Sequence, residues 1–192
     1  RLDEARQKNP KAELKRQWVP YERISVQLKR AVVSAEDDKF VDHEGFDWEG
    51  IQKALEKNQK KGRIVAGGST ISQQLAKNLF LSGNKTPWRK AQEAVITLML
   101  EAVMDKRRIL ELYLNVVEWG PGVFGVEAAS QFHFNKRASR LSEREAARLA
   151  VALPNPLLRD AGDPGPMTLR LAGDIQSRMR AAGAYQTACV LK

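Results

Sequence analysis

Residues 24–45 read ISVQLKRAVVSAEDDKFVDHEG, and this stretch joins an apolar helical pattern to a cluster of charged groups. Apolar residues at helical spacing fill its first half, at Ile24, Leu28, Ala31, Val32 and Ala35. Its second half holds five carboxylates and one histidine within residues 36–45. Carboxylates at the C-terminal end of a helix oppose the helix dipole, so their position favours a role other than stability.

Glu36 directly follows the apolar half of this stretch. A carboxylate beside an apolar helix is partly desolvated, which raises its pKa toward the range of a useful general base. The alternative interpretation is a solvated acidic loop without chemistry. His43 is predicted to be a hydrogen-bonding strut and not a metal ligand.

Helical patterns also dominate the rest of the chain. They predict helices over residues 46–55, 88–117, 127–131, 142–153 and 168–181, and one more that begins after Thr70. Thr70 with Gln73, and Ser142 with Glu145, have the spacing of capping boxes at helix starts. The sequence shows neither a convincing alternating strand pattern nor an internal repeat. The predicted fold class is therefore mostly α.

Length and composition narrow the function. The 192 residues suit a single domain, predicted to span residues 19–192 after a linker at residues 1–18. The net charge of +9 indicates a polyanionic partner, which nucleic acid, an anionic membrane or a phosphate-bearing substrate would each provide. A single cysteine, Cys189, and two histidines exclude a disulfide framework and a cysteine- or histidine-rich metal cluster. No apolar run approaches the roughly 18–20 residues that span a bilayer, so we expect any membrane anchor to precede Arg1.

A second group of chemically active residues lies at residues 67–78, GGSTISQQLAKN. Two glycines before a capped helix expose backbone N–H groups at the positive end of the helix dipole, which suits an anion. Lys77, Gln73 and Gln74 are expected to add a charge and several hydrogen-bond donors on a solvent-facing side. The alternative is an ordinary helix start, and the spacing differs from that of a Walker A loop.

Two basic stretches follow along the chain. Residues 85–93, KTPWRKAQE, hold three cations and a carboxylate. Arg89 and Glu93 are four positions apart, and the simpler interpretation is a surface ion pair worth roughly a few tenths of a kcal/mol. Residues 106–115, KRRILELYLN, place basic residues before an apolar helical run, where helix packing is the favoured role of the leucines and the tyrosine.

In order along the chain, these stretches resemble the signature motifs of the peptidoglycan glycosyltransferases, glycosyltransferase family 51. The pattern E-D-x-x-F-x-x-H-x-G is met at residues 36–45, G-x-S-T-I-x-Q-Q-x-x-K-N at 67–78, R-K-x-x-E at 89–93 and R-R-I-L-E-x-Y-L-N at 107–115. The resemblance covers residues 18–156, roughly. Residues 119–125 and 152–156 look more like the monofunctional branch than the bifunctional penicillin-binding proteins.

The resemblance implies a lysozyme-like helical lobe and a smaller lobe that contacts the membrane. The implied reaction polymerises lipid II, a lipid-pyrophosphate-linked disaccharide-peptide, into glycan strands with inversion and release of undecaprenyl pyrophosphate. Glu36 is the implied general base, and Glu93 is a second catalytic carboxylate near the pyrophosphate. The implied substrate-binding residues are Ser69, Gln73, Gln74, Lys77, Asn78, Lys85, Arg89 and Lys90. Many relatives carry arginine where this chain offers Lys85, so a point charge replaces a bidentate fork there.

The resemblance also implies partners and a location. A Mg²⁺ or Mn²⁺ ion near Glu93 suits phosphate oxygens, although lysine and arginine side chains neutralise the same charge. The expected partners are lipid II, the growing glycan, the membrane surface and other cell-wall synthesis proteins, and no nucleic acid. The expected location is the outer, periplasmic face of a bacterial cytoplasmic membrane.

Two segments are assigned roles on this basis. Apolar residues between positions 79 and 100, with Trp88, are candidates for membrane contact, and ordinary core is the alternative. The Lys-rich residues 56–63 are expected to form a mobile loop that closes over the acceptor.

Two other functions stay open. A lysozyme-like glycan hydrolase also places a carboxylate beside a sugar, but it has no need of a cationic site between residues 67 and 90. A nucleic-acid-binding module would explain the net charge of +9 through salt-dependent binding to phosphates, but it gives Glu36 no role.

Overall fold

The chain folds mainly into α-helices, as predicted. The computed structural model describes residues 15–63, 67–81 and 86–182. Its helices in these residues are α1 (Val26–Glu36), α2 (Trp48–Lys61), α3 (Ile71–Phe80), α4 (Pro87–Val103), α5 (Lys106–Val116), α6 (Val126–Phe134), α7 (Glu143–Ala152) and α8 (Pro166–Ala181). Short 3₁₀ turns occur at Tyr21–Arg23 and Ala138–Arg140. Among the described residues, no helix combines the length and the apolar character needed to cross a bilayer.

Helix α1 packs against α7 and α8, which also pack against each other. Its inward face carries Leu28, Ala31 and Val32, which are fully buried. The buried side chains of α7 include Ala146 and Ala150, which are small enough to allow close approach of a neighbouring helix. A second packed group forms where α3 lies against α4 and α5. Helix α1 therefore ends in one packed group of helices, and α3 begins in the other.

Both predicted capping boxes are present. Thr70 Oγ1 accepts a hydrogen bond from the Gln73 N–H, and the Gln73 side chain accepts one from the Thr70 N–H. Ser142 and Glu145 make the same reciprocal pair at the start of α7. Each box satisfies two backbone donors that have no partner within the helix, which fixes where α3 and α7 begin.

The single helix predicted over residues 88–117 was wrong, because the structure divides this region into α4 and α5. Met104 has an extended backbone, and the Asp105 side chain accepts a hydrogen bond from the Arg108 N–H. Aspartate is a preferred N-cap residue, so Asp105 starts a new helix. Apolar periodicity continues on both sides of the break, which is why the pattern alone did not reveal it.

Helix α2 is longer than the helix predicted over residues 46–55. It begins at Trp48 because Asp47 Oδ1 accepts a hydrogen bond from the Gly50 N–H at 2.9 Å. It ends at Lys61, where Gly62 adopts a left-handed φ of 60°. The expectation of a mobile loop at residues 56–63 was therefore wrong, since glutamate, lysine and glutamine are good helix formers and extend α2.

A small sheet, which the sequence pattern did not predict, joins distant parts of the chain. Its strands are β1 (Lys15–Arg16), β2 (Glu118–Gly120) and β3 (Val123–Phe124), in the order β1-β3-β2. Strand β1 is parallel to β3, and β2 is antiparallel to it. Strands this short show no alternation that a pattern search can detect. The pairing of β1 places folded structure before the boundary predicted at residue 19, and residues 1–14 lie outside the described residues.

Candidate active site

Glu36 is the last residue of α1, and it lies at the edge of a cavity of about 200 Å³. The cavity is also lined by Asp38, Ser69 and Arg178, which come from three separate parts of the chain. Burial raises the pKa of the Glu36 carboxyl above its ordinary value. A carboxyl group with a raised pKa beside an open cavity is suited to accept a proton near neutral pH.

The next residue, Asp37, connects the end of α1 to the start of α3. Asp37 Oδ2 accepts a hydrogen bond from the Ile71 N–H at 2.9 Å, and Asp37 Oδ1 lies 2.9 Å from His43 Nε2. The other ring nitrogen, His43 Nδ1, accepts from the Gly45 N–H at 3.1 Å, so the proton of a neutral ring is on Nε2. His43 therefore has the strut role that its sequence context predicts.

Gly45 packs this segment against α3 and α4. Its carbonyl oxygen accepts a hydrogen bond from Thr70 Oγ1 at 2.7 Å. Gly45 has a φ of +92°, and a Cβ atom there would lie 2.8 Å from Thr97 Cγ2. Phe40, in the same segment, is fully buried. Much of residues 36–45 therefore serves to hold Glu36 at the cavity.

Gln74 contacts the Glu36 carboxylate directly. Gln74 Nε2 donates to Glu36 Oε2 at 2.8 Å, and Gln74 Oε1 accepts from the Tyr113 hydroxyl at 2.9 Å. The Gln74 hydrogen bond and the nearby charges of Lys77 and Arg159 lower the pKa of Glu36, which partly offsets the larger effect of burial. Glu36, from residues 36–45, is therefore brought together with Gln74 and Lys77, which both come from residues 67–78.

Gln73 differs from its expected position. It was predicted to present a donor on a solvent-facing side of α3, and this placement was wrong because the side chain is only 4% exposed. Gln73 Oε1 accepts from the Thr70 N–H at 3.0 Å as part of the capping box. Ser69 is exposed at the cavity, and Asn78 is half-buried on α3.

Two arginines near Glu36 were not identified from the sequence. Arg159 follows α7, and its Nη1 donates to the Val151 carbonyl at 2.8 Å. Arg178 lies on α8, and its Nη1 donates to the Ser34 carbonyl at 2.9 Å. Arg178 lines the cavity, and the charge of Arg159 acts on Glu36. Nothing in the local pattern marks either residue, because both come near Glu36 only through tertiary packing.

A second group of predicted residues lies on α4. Glu93 is 3% exposed, and its carboxylate pairs with Lys90 and with Arg89, whose Nη1 lies 3.7 Å from Glu93 Oε2. Arg89 Nε is buried and has no hydrogen-bond partner in the part of the chain that the structure describes. Helix α4 packs against α3, so the two groups lie on neighbouring helices. Lys85 lies outside the described residues.

The surroundings of Glu93 do not form a ready metal site. Within residues 15–63, 67–81 and 86–182, no group of three or more His, Cys, Asp or Glu side chains is arranged to hold a metal ion. The Glu93 carboxylate is also occupied by two cations. Among the described residues, Glu93 is therefore not part of a preformed cluster of three or more such side chains.

Comparison with known proteins gives a consistent set of relatives. Residues 3–172 match the family model described as Transglycosylase. The chain is 66% identical to a biosynthetic peptidoglycan transglycosylase of Aromatoleum aromaticum over 93% of its length and 77% of the relative. It is 62% identical to a protein of the same name from Chromobacterium violaceum, over 93% of this chain and 78% of the relative. A third relative of that name, from Dechloromonas aromatica, is 63% identical over 95% of this chain and 79% of the relative.

Proposed function

Because this chain belongs to the transglycosylase family and is a peptidoglycan glycosyltransferase, we propose that it polymerises lipid II with Glu36 as the general base. The observation that carries the proposal is the environment of Glu36 at the cavity. Its carboxylate is desolvated and has a raised pKa, and Gln74 holds one of its oxygens at 2.8 Å.

The proposed reaction is an inverting displacement. The 4-hydroxyl of an incoming lipid II attacks the anomeric carbon of the growing glycan, and its proton passes to Glu36 as the new C–O bond forms. The bond from the anomeric carbon to the pyrophosphate oxygen breaks, and its electron pair leaves with undecaprenyl pyrophosphate. A positioned general base contributes about 10²–10⁴-fold to such a step.

The departing pyrophosphate needs cations and hydrogen-bond donors, because it gains negative charge as it leaves. Lys77 lies close enough to Glu36 to lower the pKa of that carboxyl, and Ser69 is exposed at the same cavity. On α4, Arg89 and Lys90 supply two more cations.

The role of Mg²⁺ or Mn²⁺ follows from the ligands that are present. Since no group of three or more metal-ligating side chains surrounds Glu93 among the described residues, we propose that a divalent ion there would take most of its ligands from substrate phosphate oxygens and water. None of the steps above uses a metal ion.

Helix α4 supports a membrane surface as the place of reaction, because its apolar face is turned outward. Its buried side chains are Glu93, Thr97 and Leu100. Its exposed apolar side chains are Trp88, Val95, Leu98, Met99 and Val103, and Trp88 is 73% exposed. An exposed apolar face of this kind is typical of a membrane or protein contact.

Since peptidoglycan synthesis is an envelope process, we propose the outer face of the cytoplasmic membrane as the location. The anchor expected before Arg1 and the cell-wall protein partners remain proposals.

One incubation distinguishes this function from glycan hydrolysis. The chain is incubated separately with lipid II and with preformed glycan, and both products are resolved by gel electrophoresis. Polymer formed from lipid II supports the proposal. Shortening of preformed glycan without polymer formation would instead identify a hydrolase.

A further inference from the structure

Tyr113 on α5 is connected to Glu36 through a single side chain. Its hydroxyl donates to Gln74 Oε1 at 2.9 Å, and the other end of that carboxamide, Gln74 Nε2, donates to Glu36 Oε2 at 2.8 Å. Tyr113 is fully buried among the core residues Ile109, Leu110 and Leu114. Its ring therefore stays out of the cavity, and only its hydroxyl acts toward the site.

The orientation of the Gln74 amide determines whether Nε2 or Oε1 faces the Glu36 carboxylate. With Nε2 toward Glu36, the ionised carboxylate receives a hydrogen bond. With the amide rotated by 180°, Oε1 would face a carboxylate oxygen, and two acceptors would meet at hydrogen-bond distance. The Tyr113 hydroxyl would then face Nε2, and its proton would lose the acceptor that Gln74 Oε1 provides.

The Tyr113 hydroxyl stays protonated over the pH range in which the enzyme works. Burial raises the pKa of its hydroxyl well above the ordinary value, and the charges of Glu36 and Asp37 act in the same direction. A hydroxyl that stays protonated is a constant donor, so it favours one amide orientation at every pH at which the enzyme works.

On this geometry, we propose that Tyr113 is a positioning residue for the reaction: its hydroxyl holds the Gln74 carboxamide so that Nε2, and not Oε1, faces the Glu36 carboxylate. The assignment rests on the proposed role of Glu36 as base. Tyr113 acts only through Gln74. It stabilises the ionised form of Glu36, which takes the proton of the attacking 4-hydroxyl.

Other charged groups around Glu36 are unchanged when only the hydroxyl is removed. Asp37 at the end of α1, Lys77 on α3 and Arg159 after α7 all act on the Glu36 pKa. Asp38, Asp47 and Arg178 line the same cavity. A change of the Glu36 pKa in Tyr113→Phe is therefore assigned to the hydrogen-bond relay from Tyr113 through Gln74 to Glu36.

The test compares Tyr113→Phe with the wild type in two measurements. The first is a ¹³C NMR titration of the Glu36 carboxyl, assigned by its loss in Glu36→Gln, which needs no activity. The second is the pH profile of kcat/KM for lipid II polymerisation. We expect the Glu36 pKa to rise, because the carboxylate loses the fixed donor that favours its charged form. On the acid limb of the profile, kcat/KM relative to its plateau should fall about threefold to tenfold.

Tyr21→Phe is the matched control. Tyr21 is also buried, but its ring lies against Lys29 and Arg107, with Lys29 Nζ 3.6 Å from the ring centroid. Tyr21→Phe should leave the Glu36 titration and the pH profile unchanged. Gln74→Met should raise the Glu36 pKa as Tyr113→Phe does, and the double variant should show no further rise, because both changes interrupt one relay.

The outcomes distinguish the positioning role of Tyr113 from the role of Glu36 as the general base. An unchanged Glu36 titration in Tyr113→Phe overturns the positioning role, as do additive shifts in the double variant. A raised Glu36 pKa with an unchanged pH profile supports the relay and contradicts Glu36 as the base. If Tyr113→Phe does not fold, the same titration in Gln74→Met decides, and an unchanged Glu36 there overturns the relay.

Discussion

The Asp37 carboxylate accepts a hydrogen bond from the Ile71 backbone N–H at 2.9 Å, which joins the residue after α1 to the first residue of α3. Its other oxygen lies 2.9 Å from His43 Nε2. The two acidic residues at the end of α1 therefore divide the work. Both residues line the cavity, but only Asp37, which is buried, also bonds to the elements around it through Ile71 and His43.

Asp37→Ala should lower the free energy of unfolding by about 2–4 kcal/mol, because two buried donors lose their acceptor. Asp37→Asn keeps one acceptor oxygen and should lose less. Asp42→Ala is the control, since Asp42 is exposed in the same segment, and it should change stability by about 0.5 kcal/mol or less. Urea unfolding measures all three, and equal effects at positions 37 and 42 would contradict the assignment.

Gly45→Ala should destabilise the protein by about 1–3 kcal/mol. Its φ is +92°, and the added Cβ would lie 2.8 Å from Thr97 Cγ2 on α4. Gly173 is the matched control, because it lies inside α8 with open space at the Cβ position. Gly173→Ala should instead stabilise the protein by about 0.5–1 kcal/mol. Thermal unfolding of both variants gives the comparison, and a stable Gly45→Ala would show that this contact is not tight.

Much of this fold was predictable from local patterns. The apolar spacing around Leu28 and Val32 identified α1, and the Thr70 and Ser142 capping boxes marked the starts of α3 and α7. These features depend on residues three or four positions apart. The break at Met104 was missed because an N-cap aspartate inside a continuous apolar pattern looks like an ordinary polar position.

The site was predictable in part. Motif order identified Glu36, Gln74 and Lys77, which the structure brings together. Arg159, whose charge acts on Glu36, and Arg178, which lines the cavity, were missed because only tertiary packing brings them near Glu36. Gln73 was misplaced because a capping box and a substrate-facing donor have the same spacing, and only burial separates the two roles.

Lys77→Met and Arg159→Met should each move the acid limb of the polymerisation profile to higher pH. Both cations lower the pKa of Glu36, so their removal lets burial raise that pKa further. A base must be ionised, so activity is lost as pH falls through the Glu36 pKa, and a higher pKa places this loss at a higher pH. Lys136→Met is the control, since Lys136 pairs with Glu145 on α7. Equal profiles for all three variants would contradict a cationic environment around Glu36.

The double variant Val95→Glu and Val103→Glu should weaken binding to vesicles of phosphatidylglycerol and phosphatidylethanolamine by about tenfold or more. Both residues lie on the exposed apolar face of α4. Thermal stability should be unchanged, because neither side chain is buried. Met167→Glu on α8, also at an exposed apolar residue, should keep vesicle binding. Vesicle co-sedimentation measures this, and unaltered binding by the double variant would exclude α4 as the membrane contact.

Lipid II polymerisation by Glu36→Gln is the decisive measurement of whether Glu36 takes the proton of the attacking hydroxyl. Glutamine keeps the size and a hydrogen-bonding oxygen but cannot serve as the base, so the variant should bind lipid II, unfold no earlier than the wild type, and lose about 10²-fold or more in turnover. A Glu36→Gln variant that polymerises lipid II at a rate near that of the wild type would show that Glu36 is not the general base.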